Sequence, residues 1–92
     1  MPAITFKGDV SDAAGASVIL IVSAVGYDYS EIFDGTFTRT KNLPPGNYEI
    51  TVVCLTDGEM DFNISGNLIS VNPVVPETFD SDKIGNSYNL KV

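Results

Sequence analysis

The 92-residue sequence predicts an all-β chain, an antiparallel β-sandwich of seven or eight short strands forming a single domain over residues 1–92. Three observations carry that expectation. Tyr48, Ile50, Val52 and Cys54 alternate with Glu49, Thr51 and Val53, which is the period-2 signature of a strand with one strongly buried face. Turn chemistry recurs roughly every ten residues, at Asp34-Gly35, Pro44-Pro45-Gly46, Asp57-Gly58 and Ser65-Gly66-Asn67. No stretch of useful length shows helical periodicity, and no internal repeat or low-complexity tract is present.

The elements follow in order. Ala3 to Lys7 reads as a first strand with Ile4 and Phe6 on one face, and Gly8 to Gly15 as a polar turn. Ser17 to Val22 is a continuous apolar, β-branched run, as expected of a central strand with both faces covered. Gly26 to Phe33 and Thr36 to Thr40 are the next two strands. Two prolines then fix φ near −65°, and Gly46 can take the positive φ of a type II turn into the strand Tyr48 to Leu55. Asp57-Gly58 is a hairpin signal before Met60 to Ile64, and Ser65-Gly66-Asn67 turns the chain into Leu68 to Val71. Pro73 to Gly85 reads as a long surface loop with an edge segment near Thr78 and Phe79. Tyr88, Leu90 and Val92 share one face of the last strand. The expected core unites Tyr48, Ile50, Val52 and Cys54 with Val18, Leu20, Phe37, Phe62, Ile64 and Leu90.

Composition narrows the function. At 43% hydrophobic residues this is a folding sequence, and a formal charge of −7 repels phosphate backbones and anionic lipids, so neither nucleic acid nor a membrane is an expected partner. No basic segment followed by a long apolar run marks a signal peptide, and the apolar stretch Ser17 to Val25 is far shorter than the ~20 residues of a spanning helix. The absence of histidine removes Ser-His-Asp and Cys-His catalysis together with the usual zinc ligands. Cys54, the only cysteine, falls on the apolar face and reads as a small core residue. The expectation is a non-enzymatic protein without a cofactor.

Two binding chemistries remain. Tyr27 and Tyr29 lie two residues apart on one strand face, where they form either a flat platform for a partner or glycan or a cap on the sandwich. Acids at Asp57, Glu59 and Asp61, and again at Asp80 and Asp82, supply the oxygen donors that calcium prefers, although their spacing is not that of an EF-hand loop. The Tyr27-to-Ile32 segment and the Pro73-to-Gly85 loop both carry side chains that a small core does not need, so they are the candidate contacts with a protein partner.

Several motifs together resemble the carboxypeptidase regulatory-domain-like family, close to transthyretin-like and Cna B-type sandwiches. They are Gly8, Val10, Asp12 and Gly15; then Asp34, Gly35 and Phe37; then Leu43, Pro44, Pro45, Gly46, Tyr48, Ile50 and Val52. The match covers about Ile4 to Leu55. The resemblance implies an Ig-like or transthyretin-like sandwich in which the Pro-Pro-Gly turn sets up a buried tyrosine. It also implies a non-catalytic structural or protein-interaction module, a subunit or accessory part of a bacterial or phage surface or secreted assembly; the sequence leaves the compartment open, extracellular and virion-associated places included. A calcium-assisted carbohydrate-binding module is the alternative. Cna B-type domains further suggest a lysine–asparagine cross-link between first and last strands, here Lys7 and Asn89. The assisting acid's position is held by Val52, and alternation turns both side chains outward.

Overall fold

A computed structural model of the chain describes residues 2–11 and 16–92, and Asp12 and Gly15 of the first motif lie outside them. The described residues form nine strands and no helix: β1 (Ala3–Val10), β2 (Ser17–Ala24), β3 (Tyr27–Phe33), β4 (Phe37–Asn42), β5 (Asn47–Leu55), β6 (Met60–Gly66), β7 (Ser70–Asn72), β8 (Glu77–Phe79) and β9 (Gly85–Lys91). The count exceeds the expected seven or eight because the edge segment at Thr78 and Phe79 is a strand, β8, pairing with β6. Two antiparallel sheets result, ordered β4-β1-β6-β8 and β3-β2-β5-β9-β7. They pack face to face as a sandwich, as the alternating sequence requires.

Alternation places one residue set between the sheets. Ile4 and Phe6, Val18, Leu20 and Val22, Tyr48 through Cys54 in alternate positions, Met60, Phe62 and Ile64, and Tyr88 and Leu90 are all buried in a single cluster. Every residue of the expected core is in it. Gly8 continues the inner face of β1, and its missing side chain leaves room for an aromatic ring. A Cβ there would clash with the Cε1 edge of the Phe37 ring and lie 2.9 Å from the Met60 sulfur. The Phe37 ring in turn stacks on Phe33, with centroids 4.1 Å apart and planes within 5°.

Turn residues mark where the chain reverses, but not which strands pair. Val25-Gly26 is a true two-residue hairpin loop, with Ala24 opposite Tyr27. The Pro44-Pro45-Gly46 and Asp57-Gly58 turns instead carry the chain from one sheet to the other, so β4 and β5 are not paired, and neither are β5 and β6. The hairpin expected at Asp57-Gly58 is therefore a corner. At the proline corner Gly46 takes φ 155°, and the Tyr48 hydroxyl donates to the Pro44 carbonyl at 2.6 Å. That bond is a tyrosine corner, a side chain pinning the turn that leads into its own strand. Burial is the first cause that raises the Tyr48 pKa, with the nearby Tyr27 second.

Candidate interaction surface

The two outer faces differ in chemistry. Register places Thr5, Lys7 and Asp9 of β1 beside Thr38 and Thr40 of β4 and Asp61, Asn63 and Ser65 of β6. Apart from Ala3 at its end, that face is hydrophilic. On the five-stranded sheet the outward positions change character along three neighbouring strands. β3 runs Asp28, Ser30, Ile32; β2 runs Ser23, Ile21, Ile19; β5 runs Glu49, Thr51, Val53, Leu55. Pairing aligns the apolar ends, so Ile32, Ile19 and Val53 form one row across β3, β2 and β5, with Leu55 and Ile21 flanking it. Ile32 is 68% exposed and Leu55 54%, while Ile19, Ile21 and Val53 are half-buried. The run Ser17 to Val22 is thus covered on one face, by the other sheet. Its second apolar face meets this surface instead of a second layer.

Tyr27 and Tyr29 do share a face, but it is the inner one. They stand opposite Ala24 and Val22 at the side of the sandwich where edge strands β3 and β4 approach each other, and both are half-buried. The Tyr27 ring packs edge-on against Tyr48 at 5.7 Å. It also lines a concavity of about 410 Å³ with Gly26, Pro44, Pro45 and Gly46. Tyr29 donates its hydroxyl to Glu31, which also pairs with Arg39, and the Lys41 ammonium lies 4.0 Å from the Tyr29 ring centroid. Burial first, and then the Glu31 hydrogen bond, push the Tyr29 pKa up to about 12, so its hydroxyl stays protonated and donating at neutral pH. The hydrogen bond from Tyr29, with help from Arg39, holds Glu31 below the ordinary glutamate value.

The opposite side of the sandwich is closed in the same manner. Glu77 on β8 points between the sheets and accepts from the Tyr88 hydroxyl and from Asn86 Nδ2 (2.9 Å), and it pairs with Lys83. Burial would raise the Glu77 pKa, but the hydrogen bonds from Lys83, Tyr88 and Asn86 outweigh it and hold the carboxyl below its usual range. Burial, and then Glu77, raise the Tyr88 pKa. Each side therefore carries an inward carboxylate held by a tyrosine and a cation. Sequence reasoning missed both, since a lone glutamate among alternating residues gives no sign of which face it occupies.

A second concavity, of about 750 Å³, lies on the polar end of the five-stranded sheet. Ser23, Glu49, Asn89 and Asn72 form one row of it across β2, β5, β9 and β7, while Asn47, Lys91 and Ser70 form the next. Val25, fully exposed at the hairpin tip, separates this hollow from the one beside Tyr27.

The remaining candidates are dispersed. No group of three or more metal-ligating side chains converges among the described residues. Asp61 accepts from Thr78 at 2.7 Å, and the Asp80 carboxylate caps its own loop by accepting the backbone N–H groups of Asp82 and Lys83. Lys7 and Asn89 are exposed on the outer faces of different sheets, so the sandwich lies between them, and Val52 is buried in the core. Cys54 is buried, which raises its thiol pKa and keeps it out of surface chemistry. Among the described residues no helix is long and apolar enough to cross a membrane. Comparison with family models, with curated proteins and with solved structures found no match to this chain.

Proposed function

We propose that the chain is a non-enzymatic β-sandwich module that binds protein through the outer face of its five-stranded sheet, as a structural or accessory part of a larger assembly. The observation that carries this reading is the contrast between the two outer faces. One is hydrophilic but for Ala3, and the other gathers Ile32, Ile19, Val53, Leu55 and Ile21 from three strands into one patch. Scattered exposed aliphatics are ordinary on any protein, but a contiguous patch made by matched register is characteristic of contact surfaces. The resemblance to carboxypeptidase regulatory-domain-like sandwiches supports the non-catalytic role and the bacterial or phage surface or secreted setting. The inward tyrosines serve the module as packing at the side of the sandwich.

Site-specific photo-crosslinking tests the reading. A benzophenone side chain replacing Ile32 is expected to capture a discrete protein in native lysate, while the same group replacing Thr40, outward on the other sheet, captures none. Equal labelling from both positions overturns it.

A glycan-binding module is the second reading, favoured by the 750 Å³ hollow. Asn47, Asn72, Asn89, Glu49 and Lys91 there present amide, carboxylate and ammonium groups to solvent beside the apolar Val25. Such a combination suits the hydroxyls and the C–H face of a sugar. A glycan array that gives a signal lost in Asn89→Ala favours this reading, and a blank array removes it.

A further inference from the structure

The apolar end of the five-stranded sheet has a size, a charge environment and a blocked edge, and together they define what covers it. The row Ile32, Ile19, Val53 crosses three strands, roughly 10 Å at the usual strand spacing. From Leu55 to the level of Ile21 the patch extends four residues along the strands, about 13 Å. A helix is about 10–12 Å wide and rises 1.5 Å per residue, so two to three turns of one fit this footprint. Helix on sheet is also the standard way to cover a second apolar sheet face.

Charge selects the kind of helix. Exposed Asp28 and Glu49 occupy the outward row beyond Ser30 and Thr51, while exposed Asp34 and Asp57 follow the ends of β3 and β5 just past Ile32 and Leu55. All five cations are committed elsewhere. Arg39 and Lys83 pair with Glu31 and Glu77, Lys41 covers Tyr29, Lys7 is on the other outer face, and Lys91 lies at the polar end between Asn47 and Ser70. The patch is therefore apolar at its centre and acidic around its margin.

A second copy does not fit these conditions. An isologous contact would bring the same acids face to face on two chains that each carry −7. Strand addition at the β3 edge is also opposed, because Glu31 points inward from that edge and is tied to Arg39, a device that discourages pairing there.

Building on the protein-interaction reading above, we infer that this surface receives an amphipathic helix of a partner protein, with aliphatic side chains on its contact face and lysine or arginine along its flanks. The aliphatic side chains bury Ile32, Ile19, Val53 and Leu55. The flanking cations meet Asp28, Glu49, Asp34 and Asp57, whose field also speeds encounter.

The test uses the full chain and two designed 14-residue helical peptides that share a leucine face, one flanked by lysine and the other by glutamate. Amide chemical shifts followed by NMR are expected to move at Ile19, Ile32, Val53 and Leu55 with the lysine-flanked peptide. Those of Thr5, Thr38 and Asn63 on the opposite sheet stay fixed. The glutamate-flanked peptide binds at least tenfold more weakly, and raising salt from 50 to 300 mM weakens the lysine-flanked peptide several-fold. Ile32→Asp, with an unchanged melting temperature, is expected to weaken binding tenfold, and Leu55→Asp provides a second variant.

Equal binding of the two peptides, shifts confined to Asp9 and Asp61 on the other face, or no shift at millimolar peptide each overturn the proposal. A concentration-dependent dimer in sedimentation that Ile32→Asp abolishes also overturns it, in favour of a second copy. The broader reading falls separately, if crosslinking from position 32 captures nothing specific.

Discussion

Replacing Glu77 by alanine isolates the contribution of the carboxylate that closes one side of the sandwich. Tyr88 is 1% exposed, its ring packs 5.7 Å from Phe62, and its hydroxyl donates to Glu77. Removing the carboxylate leaves that buried hydroxyl without its acceptor, which costs about 1–3 kcal/mol. Losing the ion pair with Lys83, a half-exposed side chain, adds less than about 1 kcal/mol. Glu77→Ala is therefore expected to cost about 1–4 kcal/mol, a large part of the stability of so small a domain. Tyr88→Phe should cost only about 1 kcal/mol, since Glu77 keeps Asn86 and Lys83 as partners. In the double variant no orphan hydroxyl remains, so its cost should fall short of the sum of the singles by about 1 kcal/mol. Urea unfolding at pH 7, with m-values compared across the four proteins, measures all three quantities. Strict additivity, or a loss below half a kilocalorie for Glu77→Ala, would refute the idea that the tyrosine depends on this acid.

Three further outcomes are expected. Gly8→Ala forces a methyl group into the Phe37 ring and should destabilise by about 1–3 kcal/mol; pairing it with Phe37→Leu should recover part of that loss in the same urea assay. Tyr48→Phe removes the bond to the Pro44 carbonyl and should lower stability by about 1 kcal/mol, visible as a lower thermal midpoint. Acid should also weaken the fold: Glu31 and Glu77 both titrate below their unfolded value near 4.3, so their contribution is complete above that pH and disappears as pH falls through the depressed folded values. Urea midpoints measured from pH 7 to pH 2.5 should decline below about pH 4, and less steeply in Glu77→Gln.

The inner faces were legible because period-2 alternation reports burial directly. Tyr48, Ile50, Val52 and Cys54 needed no other information. Pairing was less legible. Asp57-Gly58 specifies a reversal, and the same backbone serves a hairpin or a corner; only the faces available to Leu55 and Met60 decide between them. The run Ser17 to Val22 reads alike whether its outward residues meet a second layer or form an exposed patch, so Ile19 and Ile21 could not be placed until β3 and β5 were set beside them. The useful signal was present in those neighbours, since Ile32 and Val53 each break a polar outward series. Tyr27 and Tyr29 show the limit of spacing alone. Two residues apart means one face, but that the face is inward follows only from their register with Ala24 and Val22.

Strand order has a consequence for how this chain acquires its shape. Among the described residues, seven of the eight links between successive strands pass from one sheet to the other, and only the Val25-Gly26 loop joins strands that bond to each other. Before any sheet can grow past that hairpin, loops of a dozen or more residues must close: β1 waits for β4 and β6, and β5 waits for β9. The β2–β3 hairpin is therefore the natural nucleus, with β5 the first distant strand to join it. Chains of such high contact order fold in milliseconds to seconds. Throughout that interval both faces of the hairpin are uncovered, so the Ile19 row adds to Val18, Leu20 and Val22 as apolar surface prone to self-association before β5 joins.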